Sequence, residues 1–208
     1  MNKSYIKFSP WNFMAVLISL ALLPVMMNAQ DNASFTDTRN GHVYNWTKIG
    51  TQTWMTENLN YNIPAGSWVY DNDSATGINF GKLFSWKAAQ TACPKGWHLP
   101  SVKEWGTAIQ TFGGNSEAGL KMQSLDTIGK SRDMAKKHTP AVGSSLLGGV
   151  RHADGTYTGI NSWGGCWTTG KVNDTVASNV LFVKKSKEIG FSTNDKSAGF
   201  SVRCIRNK

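Results

Sequence analysis

The chain has 208 residues, 40% of them hydrophobic, enough for one domain with a substantial core and too apolar for an intrinsically disordered protein. Its 22 lysines and arginines against 13 acids give a net charge of +9. The basic residues form no long block, only pairs such as Lys136-Lys137 and Lys184-Lys185, so a solvated basic surface is expected and nucleic acid is not an expected partner.

Lys3 and Lys7 precede an apolar run from Phe13 to Met27, followed by the small Ala29, which predicts a secretory signal peptide over residues 1–29. The run is short for a membrane span and contains Pro24, so removal is expected, with no transmembrane segment left afterwards. Without Lys3 and Lys7 the balance is 20 basic to 13 acidic residues, or +7. No cysteine lies near the cleavage point, which argues against a lipid-anchored start. The expected location is outside the cytoplasm, at the cell surface or in the periplasm.

Residues 30–208 read as a single domain. Residues 30–36 form a polar lead-in, and Asn40-Gly41 is a turn before a strand from His42 to Ile49. Gly50-Thr51-Gln52 turns the chain into a second arm, Thr53 to Leu59. Asn60 to Asn79 reads as loop, with Trp68-Val69-Tyr70 dipping into the core. Trp86, Ala89 and Cys93 give a first helix an apolar face that ends at Pro94. After a short strand at Trp97 to Leu99, Ser101 and Glu104 have capping-box spacing. Trp105, Ala108, Ile109 and Phe112 then form the stripe of a second helix, stopped by Gly113-Gly114.

Residues 113–148 are polar and carry Lys130, Arg132, Lys136 and Lys137, a stretch read as a long loop. Asp154-Gly155 marks a hairpin between Val150 to Ala153 and Thr156 to Thr158. Strands are expected at Trp163 to Thr169, Val176 to Lys184, Glu188 to Ser192 and Gly199 to Arg206, the last placing Phe200, Val202 and Cys204 on one face.

Catalytic signals do not emerge. There is no phosphate loop opening a helix, no nucleophile elbow and no legible Ser/His/Asp arrangement. His42, His98, His138 and His152 lack zinc spacing, so no metal and no cofactor is expected. Three cysteines in an exported chain suggest one disulfide and one remaining thiol, and sequence alone allows three pairings. Eight tryptophans follow the leader; Trp163, in Ile160-Asn161-Ser162-Trp163-Gly164-Gly165, sits in a turn-like setting where it could stack on a sugar ring or plug the core.

Gly81-Lys82-Leu83-Phe84-Ser85-Trp86, Cys93-Pro94-Lys95-Gly96-Trp97-His98-Leu99-Pro100-Ser101 with Glu104-Trp105, and Gly199-Phe200-Ser201-Val202-Arg203-Cys204 occur in order. With Lys48-Ile49-Gly50-Thr51-Gln52-Thr53-Trp54-Met55-Thr56-Glu57-Asn58-Leu59 upstream, the chain resembles the Fibrobacter succinogenes major paralogous domain across residues 35–206. The resemblance implies a secreted or surface protein with a C-type-lectin-like fold related to formylglycine-generating enzymes. The expected class is α+β, two helices packed on small antiparallel sheets with long loops.

The lectin-like fold implies a Cys93–Cys204 bridge between the first helix and the last strand, and both residues fall on inward faces by periodicity. Cys166 then reads as a small buried hydrophobe beside Trp167. An oxidase like the formylglycine-generating enzyme would need Cys166 and Cys204 as a copper-binding pair, and the pattern around each differs from that enzyme's.

Val172-Asn173-Asp174 is faintly similar to the lectin calcium motif but lacks its Glu-Pro-Asn or Gln-Pro-Asp partner, so a loop turn is the expected role of Asn173 and Asp174. Asp73-Ser74-Ala75, Asp126-Thr127-Ile128 and Asp174-Thr175-Val176 match a short acceptor pattern for O-glycosylation by Bacteroidota. The expectation is a non-catalytic binding or adhesion domain for a glycan or an envelope protein. Its candidate ligand residues are Asp154, Asn161, Trp163, Asn173 and Asp174. A structural or accessory subunit of an outer-membrane complex is the alternative.

Overall fold

A computed structural model describes residues 33–125 and 144–208. The leader, the basic segment from Lys130 to Lys137, His138 and the Asp126-Thr127-Ile128 pattern lie outside the described residues.

β-branched and aromatic side chains make Val43–Ile49 (β2) a strand, which turns at Gly50-Thr51 into Gln52–Met55 (β3). The polar lead-in is itself a strand, Ala33–Thr36 (β1), antiparallel to β2 with Phe35 opposite Tyr44. Phe35 stacks on Tyr44 and on Trp97, with ring centroids 5.6 and 4.6 Å away, and one aromatic among Ala, Ser and Thr carries no periodic signal. The β1–β2 connection is fastened by Arg39. It pairs with buried Asp37 at 2.7 Å, donates to the Ala92 carbonyl at 2.8 Å and covers the Tyr61 ring at 3.8 Å.

Four α-helices are described rather than two. Within the expected 60–79 loop, Ser67–Trp68 (β4) is followed by Ser74–Phe80 (α1). Its sequence, Ser-Ala-Thr-Gly-Ile-Asn-Phe, has weak helix propensity. The Asp73 carboxylate caps it from Ala75 N–H at 3.0 Å, and Phe80 anchors it in the core. After Leu83–Phe84 (β5), Ser85 caps Trp86–Ala92 (α2), and Cys93 is the extended residue that ends it rather than part of its last turn. Trp97–His98 (β6) leads to Val102–Thr111 (α3), where the Ser101–Glu104 capping box forms in both directions and Trp105, Ala108 and Ile109 are buried.

The fourth helix, Ala118–Ser124 (α4), lies in the stretch read as loop. It depends on Gly119, whose Cα faces the Ser186, Lys187 and Glu188 carbonyls so closely that a Cβ would meet them at 2.5–2.7 Å. No sequence period reports an approach between segments nearly 70 residues apart.

Two sheets hold the rest. One is antiparallel, in the order β1-β2-β3-β13-β6, with β13 the strand Ile205–Arg206. The other joins Gly148–Arg151 (β7), Tyr157–Ile160 (β8), Trp163–Lys171 (β9), Val176–Val183 (β10) and Ile189–Asp195 (β11) to β4, β5 and Phe200–Ser201 (β12). It is mixed rather than purely antiparallel, since β9 runs parallel to both β7 and β12.

The last strand is split. Phe200–Ser201 (β12) belongs to the large sheet and Ile205–Arg206 (β13) to the small one. Val202, Arg203 and Cys204 cross between them, fully buried, their carbonyls bonded to Leu59 N–H at 2.8 Å and Met55 N–H at 3.1 Å. Both faces of this segment are therefore buried, not the single face that alternation predicts. Cys204 is bridged to Cys93 across 111 residues. The class is α+β, with short helices over two sheets that share one crossing strand.

Candidate functional site

The two faces of β9 and β10 face different cores. Cys166, Val180 and Phe182 join Trp54, Trp105 and Ile109, while Trp163, Trp167 and Leu181 join Phe84 and Phe200. Cys166 is fully buried, its sulfur 4.0 Å from Asn58 Oδ1, beside a polar knot in which Arg203 donates to Asn58 Oδ1 at 3.2 Å and to Ser145 Oγ at 2.7 Å. With Cys204 bridged to Cys93, Cys166 has no second thiol to make a copper-binding cysteine pair.

On the other face, a groove of about 320 Å³ opens where β7 ends against β9–β11. Its apolar wall is Trp163, Leu181, Phe200 and Val150, and its polar rim is His152, Ser192, Asn194 and Asp195. Trp163 is half-buried and lies flat on Gly159, whose φ of +89° and missing side chain admit the indole; a Cβ there would stand 2.5 Å from the ring.

Among the described residues the Trp163 indole N–H and the Ser192 hydroxyl have no hydrogen-bond partner, and neither is sealed from solvent. Asn194 donates to the buried Asn179 amide at 2.8 Å, and His152 meets Thr158 Oγ1 at 2.9 Å. Asp195 is held below the usual carboxylate range by the Ser197 hydroxyl and then the Ser197 N–H, both at 2.7 Å. An apolar ring beside uncommitted donors and acceptors can take a ligand with one apolar face and a polar edge.

The five residues read as ligand contacts are not gathered. Trp163 lines the groove, and Asp154 directly follows His152 and Ala153, which also line it. Asp154 spends Oδ1 on the Thr156 N–H and hydroxyl, at 2.9 and 2.7 Å, bonds that hold its carboxyl below the usual range. Asn161 turns the chain between β8 and β9 at φ 56°, with Oδ1 3.3 Å from Lys184 Nζ.

Asn173 and Asp174 lie at the other end of β9, in the turn to β10. Asn173 Oδ1 accepts from Thr175 N–H, Thr175 Oγ1 and Val176 N–H, and Asp174 pairs with Lys171 at 2.8 Å. Lys196 donates to both of their carbonyls while its ammonium covers the Trp86 ring at 4.7 Å. The oxygens that resembled a calcium motif are thus taken by the protein's own donors. Among the described residues no group of three His, Cys, Asp or Glu side chains gathers as a metal site.

Sequence reading missed Leu181, Ser192, Asn194 and Asp195, which reach Trp163 only through the β9–β10–β11 pairing. A larger cleft of about 490 Å³, between α3 and β13, is less open to a ligand chemically. Its His98 already bridges Glu104 at 2.9 Å and Asn207 at 2.6 Å, and Gln52 donates to the Glu104 carbonyl at 3.2 Å.

No described helix is long and apolar enough to cross a membrane. No curated protein and no solved structure matches the chain. The family model of the Fibrobacter succinogenes major domain matches residues 47–206.

Proposed function

The chain belongs to the Fibrobacter succinogenes major domain family, and on that premise we propose that it is an exported, non-catalytic binding domain of C-type-lectin-like fold whose ligand is a glycan held in the Trp163 groove. The supporting observation is the half-buried Trp163 face beside an uncommitted indole N–H and Ser192 hydroxyl. A pyranose ring matches that pattern, with an apolar face for stacking and hydroxyls for the rim. Export rests on the leader at residues 1–29 and is consistent with the Cys93–Cys204 bridge, which needs an oxidising compartment.

Glycan-array binding of the purified domain tests this. The expected result is at least one oligosaccharide bound by the native chain and weakened about 50-fold or more in Trp163→Ala, with Trp163→Phe intermediate because a smaller ring still stacks. The Cys93–Cys204 bridge and near-ultraviolet dichroism should stay intact in both variants. Binding that survives Trp163→Ala unchanged would remove the groove from the reading.

A second reading, an accessory subunit of an envelope complex, draws on β11. It is an edge strand of the large sheet among the described residues and exposes Phe191. Crosslinking of the protein in its native envelope through a photoreactive residue at position 193 would give one stoichiometric partner on this reading and none on the first.

A further inference from the structure

The charge of the molecule and the charge of its groove point to different ligands. Without its leader the chain carries +7, which attracts anionic polysaccharides over its surface as a whole. The groove departs from that average: among the described residues no lysine or arginine lines it, and its only carboxylate belongs to Asp195.

The nearby cations are committed elsewhere. Arg151 adjoins the lining residue His152, yet its guanidinium lies over the Trp68 ring at 4.3 Å and donates to the His152 carbonyl at 3.2 Å. Lys196 adjoins Asp195 and is held between the Trp86 ring and the Asn173 and Asp174 carbonyls. Lys184, beyond Trp163, donates to Asn161 Oδ1. A carboxylate or sulfate entering the groove would lose water to an apolar wall without gaining a cation.

Resting on the reading of this groove as a saccharide site, we infer that it selects uncharged sugars and rejects uronic and sulfated ones, against the attraction of the protein's basic surface. The groove acts as a local filter by leaving out cations. Anionic glycans are then bound, if at all, away from Trp163.

The test is an array carrying neutral, uronic and sulfated oligosaccharides, probed in parallel with the native domain and Trp163→Ala. The expected result is that glycans whose binding depends on Trp163 are neutral, and that the uronic analogue of the best of them binds about tenfold or more weakly. Ser192→Lys, which adds a cation to the rim while removing the Ser192 hydroxyl, should shift the uronic-to-neutral affinity ratio about tenfold toward the uronic analogue. Trp163-dependent binding of acidic glycans equal to or tighter than neutral ones, or no such shift in Ser192→Lys, overturns the charge inference and leaves the saccharide site standing. No glycan whose binding depends on Trp163 overturns the site, and the inference with it.

Discussion

The two ends of β9 make a useful contrast. At one end, the turn through Asn173 and Asp174 uses its polar atoms on itself: one carboxamide oxygen accepts three bonds, one carboxylate is paired, and Lys196 caps two carbonyls. At the other end, Trp163 lies on a glycine with its indole N–H uncommitted and the Ser192 hydroxyl across the groove. Both look like polar loops in sequence. What separates them is how much hydrogen-bonding capacity the fold leaves over, and only leftover capacity can recognise a ligand.

The largest effect expected of any substitution lies at the disulfide, which belongs to neither end, and serves as their control. Replacing Cys93 and Cys204 together by Ala should cost about 5 kcal/mol, the loop-closure value for a bridge spanning so many residues. Urea titration under native conditions would measure it, and a loss under about 1 kcal/mol would mean the crossing strand is held mainly by its burial and by Arg203. Glycan affinity of the folded fraction should not change.

Next come the residues of the closed turn. Lys196→Met should cost about 1–2 kcal/mol by uncapping two carbonyls and losing the Trp86 contact. Asn173→Ala should cost about 1 kcal/mol. Both should leave binding intact, whereas a loss of binding in either, with the fold preserved, would erase the distinction between the ends.

The smallest effect is the dependence on pH. Burial pushes the Asp37 carboxyl up, but bonds from Arg39 outweigh it and hold the folded value below the usual 3.8. Burial likewise raises Glu104, and bonds from the Ser101 N–H, His98 and the Ser101 hydroxyl outweigh it. Each group therefore adds stability above its unfolded pKa and loses it as pH falls through the lower folded value. The denaturation midpoint should be flat in this contribution from pH 7 to about 5 and fall below about pH 4. Asp37→Asn and Glu104→Gln should each flatten that fall.

Local signals were read correctly where the chemistry was local. The Ser101–Glu104 box, the Trp105, Ala108 and Ile109 stripe and the Asp154-Gly155 hairpin all form, because each depends on residues within one or two turns of each other. The strand at 33–36, the helices at 74–80 and 118–124 and the split of the last strand were not legible. Phe35 is a strand residue because Tyr44 and Trp97 stack on it, and α4 is possible because Gly119 admits three carbonyls from residues 186–188. Of the candidate site, Trp163 was visible as an aromatic in a glycine-rich turn. Asn173 and Asp174 were legible as a turn, which they form, and their calcium-like oxygens are taken by the fold's own donors.

The amino-acid order by itself determined the family, the position of α3, the main hairpins of the large sheet and, through the family likeness, the Cys93–Cys204 pairing. These follow from capping, periodicity and turn chemistry, whose range is a few residues, or from motifs read in order. Tertiary structure alone decided which of the polar loops stayed open. That outcome depended on where Lys196, Arg151 and Lys184 found partners, and on β10 and β11 carrying Leu181 and Ser192 to Trp163. Contacts between residues far apart in the chain set the remaining hydrogen-bonding capacity and the local charge, and neither quantity has a period to read in the sequence.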